Sequence, residues 1–228
     1  DGNYPLLGTS DTVAVTIGPT TVPDNTPAPT PSVISTIPAL SPEDEWYYEN
    51  YSWEYNNVQW NFHLKISGPI YEFYKDSPHD RTSNYADYAL TAEDKEFLAD
   101  VMMKFKNNSA AGGFTNYDKV MNVLTFVQSI PYEEDTAREY TRYPIETLVD
   151  EKGDCKDKSI LAAAMLKEMG YDVVLLKYPK HMAVGVKVNS QGTYFEYDGS
   201  RYYYAETTGA DWDLGEVPVD LQGETPNI

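Results

Sequence analysis

The chain has 228 residues, 41% of them hydrophobic, and a formal net charge of −19 from 17 Lys+Arg against 36 Asp+Glu. Such a charge repels phosphate backbones and anionic lipid headgroups, which argues against nucleic-acid and membrane-surface partners, while the apolar content is ample for a packed core. A single cysteine, Cys155, rules out an intrachain disulfide, and no stretch reaches the roughly 20 apolar residues of a membrane span.

Residues 1–40 hold seven of the 15 prolines (Pro5, Pro19, Pro23, Pro27, Pro29, Pro31 and Pro38) and neither Lys nor Arg. The run Thr20–Ser35 reads as an extended Pro/Thr/Ser stalk, and Asp11–Ile17 alternates well enough for one short strand. Residues 41–112 are expected to form an aromatic-rich lead-in, with Trp46, Tyr47, Tyr48, Tyr51, Trp53, Tyr55 and Trp60 close together. Within it Trp60–Ile66 alternates with period two, as a half-buried strand does, and Gly68-Pro69 ends that strand. From Thr91 the pattern turns helical, with Phe97, Leu98, Val101, Met102 and Phe105 recurring at three and four.

Residues 113–228 are read as the core of the protein. A helix over 118–129 carries Val120, Val123, Leu124 and Val127 on one face and is stopped by Pro131. Gly153-Asp154-Cys155 opens a further helix running to Met169, with Gly170 as its C-terminal cap. Strands are expected at 172–178, 181–188, 193–197 and 201–207, with turn signals at Asn189–Gly192 and Asp198-Gly199. A helix followed by a strand meander reads as α+β, with the Cys155 helix packed on an antiparallel sheet.

A thiol serves as a nucleophile only as thiolate, a form favoured at a helix N-terminus or beside an imidazolium. Cys155 follows a good N-cap residue, Asp154, and sits among Lys156, Asp157 and Lys158 rather than in an apolar run. His181 begins an apolar strand 26 residues on (181 − 155), and a strand returning over the helix brings its ring toward the thiol. His63, mid-strand, and His79, in a Pro/Asp loop, are weaker candidates. A third group should orient the imidazole. Glu206 is preferred, because its rival Asp198 belongs to a hairpin turn; an amide at 206 is expected to be milder than alanine, since it still accepts the ring N–H. The backbone N–H of Cys155 and the side-chain amide of Gln128 are the candidate oxyanion donors. No zinc, calcium or phosphate-loop spacing is present, so neither metal nor cofactor is expected.

Taken together, Tyr143–Ser159, Lys180–Val186 and Tyr204–Thr208 resemble the transglutaminase-like superfamily over roughly residues 115–218. The resemblance implies a papain-like thiol fold with Cys155, His181 and Glu206 as catalytic residues. Glu206 stands where the family usually has Asp, keeping the charge on a side chain one methylene longer. It also implies a cysteine-peptidase-type activity on an amide carbonyl of a protein or peptide, with water or an amine as acceptor. The alternative is a non-catalytic surface binding or structural module that retains the fold. The stalk, the acidic balance and the sequons Asn50-Tyr-Ser52 and Asn107-Asn-Ser109 lead to the expectation of an exported or surface-tethered protein, with a membrane tether outside residues 1–228.

Overall fold

The computed structural model describes residues 13–14, 45–79, 84–135 and 139–228, so the expected stalk lies outside the described residues. A long hairpin leads the described chain, formed by β2 (Trp46–Tyr55) and β3 (Val58–Ser67). Asn56 and Asn57 turn it with φ of 54° and 59°, the left-handed pair that suits the twist of a two-residue hairpin loop. The register sets Trp53 opposite Trp60 and Tyr51 opposite Phe62. On the buried face these rings pack on Phe126, with Tyr51, Trp53 and Phe62 all within 5.2 Å of it between centroids. The short strand expected at 11–17 is present as β1 (Val13–Ala14), parallel to β3 with Val13 opposite Leu64.

Gly68-Pro69 ends β3, but the chain turns directly into α1 (Gly68–Lys75), with the proline in the first turn where its missing N–H costs nothing. Glycine is required there, because a Cβ at position 68 would lie 2.6 Å from the carbonyl oxygen of Glu45. After the short α2 (Ala86–Ala89), Thr91 caps α3 (Ala92–Ala111), its side chain accepting from the N–H of Asp94. Thr115 and Asp118 form a capping box on α4 (Asn116–Ser129). The sequence reading passed over α5 (Pro144–Asp150), whose seven residues are too few to display a period.

The helix that matters most is α6 (Cys155–Glu168), followed by β4 (Asp172–Lys177), β5 (Met182–Lys187), β6 (Tyr194–Tyr197) and β7 (Ser200–Ala205). The four strands form an antiparallel sheet in the order β4-β5-β7-β6. β5 is buried from Met182 to Val186, which explains its near-continuous apolar run: both faces are covered. Ile160, Leu161 and Met165 of α6 share one core with Val184 and Val186, while Leu176, Tyr178, Ala183 and Tyr204 form a smaller cluster of their own. The main cluster includes residues from Tyr51 to Leu214, so the aromatic hairpin and the α6–sheet unit share one interior. The architecture is α+β.

Candidate active site

Cys155 occupies the first position of α6. Asp154, the N-cap, accepts from the N–H groups of Lys156 and Asp157, and Asp157 reaches back to the N–H of Asp154. Asp157 is fully buried and accepts from the Arg142 guanidinium at 2.8 Å and from the Arg142 N–H at 2.8 Å. The helix start is thereby tied to the loop before α5. Gly153 permits this closure, because a Cβ there would meet the Asp157 Cβ at 2.7 Å. No acceptor among the described residues takes the Cys155 N–H, which is left at the positive end of the helix.

His181 stands at the end of a tight loop from β4, closed by the Tyr178 N–H donating to the His181 carbonyl at 2.9 Å. Its Nε2 lies 3.0 Å from Glu206 Oε2, and its ring lines the same cleft as the Cys155 thiol, close enough for the two to interact. With Nε2 taken by the carboxylate, Nδ1 is the nitrogen left for sulfur. Burial disfavours the imidazolium, but the neighbouring Cys155 thiol and Glu206 carboxylate outweigh it, and the histidine is pushed up to about 10.

Glu206 is buried and accepts five hydrogen bonds. Oε2 accepts from His181 and from the Tyr204 hydroxyl at 2.7 Å; Oε1 accepts from the Thr207 N–H at 2.9 Å, the Thr208 N–H at 3.0 Å and the Thr208 hydroxyl at 2.7 Å. Burial opposes its charge, yet these donors and the imidazolium prevail and hold the carboxyl down to about 2. Asp198, the rival, lies in the β6–β7 turn at φ 44°. His63 bonds Asn50 and His79 bonds the Tyr74 and Thr141 carbonyls, so neither reaches the thiol.

The expectation for Gln128 needs correction. Its amide donates to the backbone carbonyls of Glu206 at 2.9 Å and Trp212 at 3.0 Å, so both hydrogens are spent and none remains for an oxyanion. Gln128 is instead a brace beneath Glu206. A second brace, Lys158, was missed in the sequence. It is fully buried, and its ammonium donates to the carbonyls of Ile130 at 2.6 Å and of Gln128 and Thr208 at 3.3 Å. Burial pulls this lysine down to about 8, against the opposing pull of Glu206. Tyr204 of β7 was also missed as a site residue, although its place two residues before Glu206 sets it beside the carboxylate to which its hydroxyl donates.

The thiol opens into a cleft of about 190 Å³, lined among others by Tyr132, Glu134, Tyr178, Lys180 and His181. Burial and the neighbouring Cys155 and Asp154 push the Tyr132 phenol up to about 12. Among the described residues no group of His, Cys, Asp and Glu is arranged to hold a metal ion, and no helix is long and apolar enough to cross a membrane.

A family model described as a transglutaminase-like domain matches residues 98–207. Among solved structures, the chain is similar to a proposed cysteine protease from Cytophaga hutchinsonii at 10% identity and a TM-score of 0.36, covering 73% of this chain and 65% of that one. It is similar to a TGase at 17% identity and a TM-score of 0.36, covering 78% and 48%. It is also similar to a proposed protease from Parabacteroides distasonis at 13% identity and a TM-score of 0.31, covering 77% and 42%. The chain thus spans less than two thirds of the length of each of these proteins. No curated protein matches it in sequence. Residues 98–207, which hold the thiol, the histidine and the carboxylate, are thus similar to the transglutaminase-like domain.

Proposed function

We propose that the protein forms a thioacyl intermediate at Cys155 on an amide carbonyl of a protein or peptide, which water then hydrolyses or an amine accepts. The observation that carries this reading is the placement of His181 between the thiol at a helix N-terminus and a buried carboxylate. An imidazolium beside the sulfur favours thiolate, and Glu206 keeps that imidazolium charged and oriented. The sulfur attacks the carbonyl carbon, and the developing oxyanion is met by the Cys155 N–H. The C–N bond breaks as the His181 proton passes to the leaving nitrogen. His181 then takes a proton from the incoming water or amine, whose attack breaks the C–S bond and restores the thiol–imidazole pair. An exported or cell-surface location belongs to the same reading. The exposure of Asn50 and Asn107 in the two sequons supports it, and fractionation of cells producing the full-length gene product tests it, a cytosolic product counting against it.

The test of the chemistry is alkylation and turnover together. At pH 7 iodoacetamide should modify Cys155 at least about ten times faster in the native chain than in His181→Ala, because the substitution removes the charge beside the sulfur. Cys155→Ala and Cys155→Ser should both abolish acylation by a peptidyl acyl electrophile while leaving the fold intact. Equal alkylation rates in the two proteins would mean an unactivated thiol and a binding module.

A further inference from the structure

A second cavity, of about 300 Å³, adjoins the cleft and shares Tyr85, Lys177 and Met182 with it. The Lys177 ammonium lies over the Tyr85 ring, 4.8 Å from its centroid, and stands at the junction. Ala89, Leu90 and Leu175 give the second cavity an apolar lining. Nothing in the catalytic reading uses this space.

One edge of the sheet runs beside it. β4 is an edge strand, paired only with β5 within the sheet. At Lys177 its outer side is already bonded: the Lys177 N–H donates to the Asn227 carbonyl, and the Asn227 N–H donates to the Lys177 carbonyl, both at 2.9 Å. This is an antiparallel bridge made by the chain's own segment. Pro226 is buried just before the bridge, and Ile228, just after it, lines the apolar cavity while remaining 43% exposed. Because backbone groups alternate along a strand, Leu175 and Val173 turn their N–H and C=O outward on the same side as Lys177. Among the described residues none pairs with them. From Lys177 the chain leads through Tyr178, Pro179 and Lys180 to His181, all of which line the cleft.

We propose that this edge and cavity form the seat of the peptide substrate. An extended chain adds antiparallel to β4 at Lys177 and places an aliphatic side chain in the cavity lined by Ala89, Leu90 and Leu175. The chain's own Asn227–Ile228 holds that seat until a substrate displaces it. The inference rests on the peptide-directed reading of Cys155 and gives it a binding mode: main-chain hydrogen bonds supply affinity for any extended peptide, and the cavity selects an aliphatic residue. Ile228 is 43% exposed where it lines the cavity, so a side chain that fills the cavity more fully can displace it. An edge strand left with unpaired groups accepts a further strand readily.

The probe for the test is a fluorescein-labelled octapeptide with the sequence of residues 221–228, followed by fluorescence anisotropy. Two altered probes accompany it, one N-methylated at its Asn nitrogen and one with Asp in place of Ile. Ile228→Asp in the protein should empty the seat and tighten binding of the parent probe at least about ten-fold over the native chain. In that variant both altered probes should bind at least about ten-fold more weakly than the parent. Leu90→Glu, at a position 57% exposed and so harmless to folding, should weaken the parent probe to a similar degree and leave iodoacetamide alkylation of Cys155 unchanged. Equal binding of the parent and N-methylated probes, or indifference to both Ile228→Asp and Leu90→Glu, would overturn the proposal. The two readings separate cleanly. An inert thiol with a discriminating seat removes the chemistry and keeps the peptide site. An activated thiol with no discrimination among probes removes the peptide site alone.

Discussion

Replacing Glu206 by Gln changes almost no volume, yet the hydrogen bonds around it make the substitution severe. Three donors converge on Oε1, and two of them, the N–H groups of Thr207 and Thr208, cannot turn to accept. An amide at 206 must therefore keep its oxygen there and point its NH₂ at His181 and Tyr204. The Tyr204 hydroxyl can rotate to accept, but an imidazolium cannot, because its Nε2–H would meet another N–H. The ring is driven to the neutral tautomer with a lone pair on Nε2. The rise of His181 from 6.5 to about 10 corresponds to about 5 kcal/mol in favour of the imidazolium, shared between thiol and carboxylate. Losing the carboxylate and adding a donor–donor contact should return the histidine to its ordinary range or below. At pH 8 the imidazolium population would then fall from nearly complete to about 3%, roughly thirty-fold. Proton NMR can follow this directly, since the chain has only three histidines. Alkylation of Cys155 at pH 7 should fall about as far in Glu206→Gln as in Glu206→Ala. If Glu206→Gln kept the native His181 midpoint and only Glu206→Ala lost it, the reasoning from the five hydrogen bonds would be refuted. The sequence alone ranks glutamine as the milder change, because it does not reveal the three donors on the far oxygen.

Tyr204→Phe deletes one hydroxyl from a fully buried ring and removes a 2.7 Å bond to a charged oxygen. A loss of about 1.5–3 kcal/mol is expected, read as a fall in Tm of about 3–12 °C, and a change under about 1 °C would dismiss the bond. The stability that His181 confers should be full below 6.5 and should disappear as pH rises toward about 10, while that from Glu206 should be full above 4.5 and disappear as pH falls toward about 2. Denaturation of the native chain and of His181→Ala should therefore differ most between about pH 4.5 and 6.5 and converge near pH 10. Lys158 has the opposite sign: the cost of burying its charge is relieved as pH rises from about 8 to 10.5, so Lys158→Met should remove a stability gain over that range. Leu124→Ala, at a position with no exposure in the shared core, should cost about 2–5 kcal/mol by chemical denaturation without altering the His181 midpoint.

What the sequence determined by itself was whatever local chemistry writes into a short window. The capped start of α6 at Asp154-Cys155, the spacing of Phe97, Leu98, Val101, Met102 and Phe105 in α3, and the alternation of Trp60–Ile66 in β3 all follow from propensity, capping and period. Those patterns, with the ordered thiol, histidine and carboxylate, were enough for α+β and for the likeness of residues 98–207 to the transglutaminase-like domain. The tertiary structure decided everything that depends on which distant groups meet. Gln128 reads as a helix-end donor in the chain, but 78 residues later the Glu206 carbonyl claims its amide. Lys158 looks like one more charge on a polar helix start, yet it is buried against carbonyls from Ile130 and Thr208. The short α5 and the bridge from Asn227 to Lys177 carry no period at all. Hydrogen-bond partners across such separations are chosen by packing of the shared core, and packing is a property of the whole chain that no local window contains.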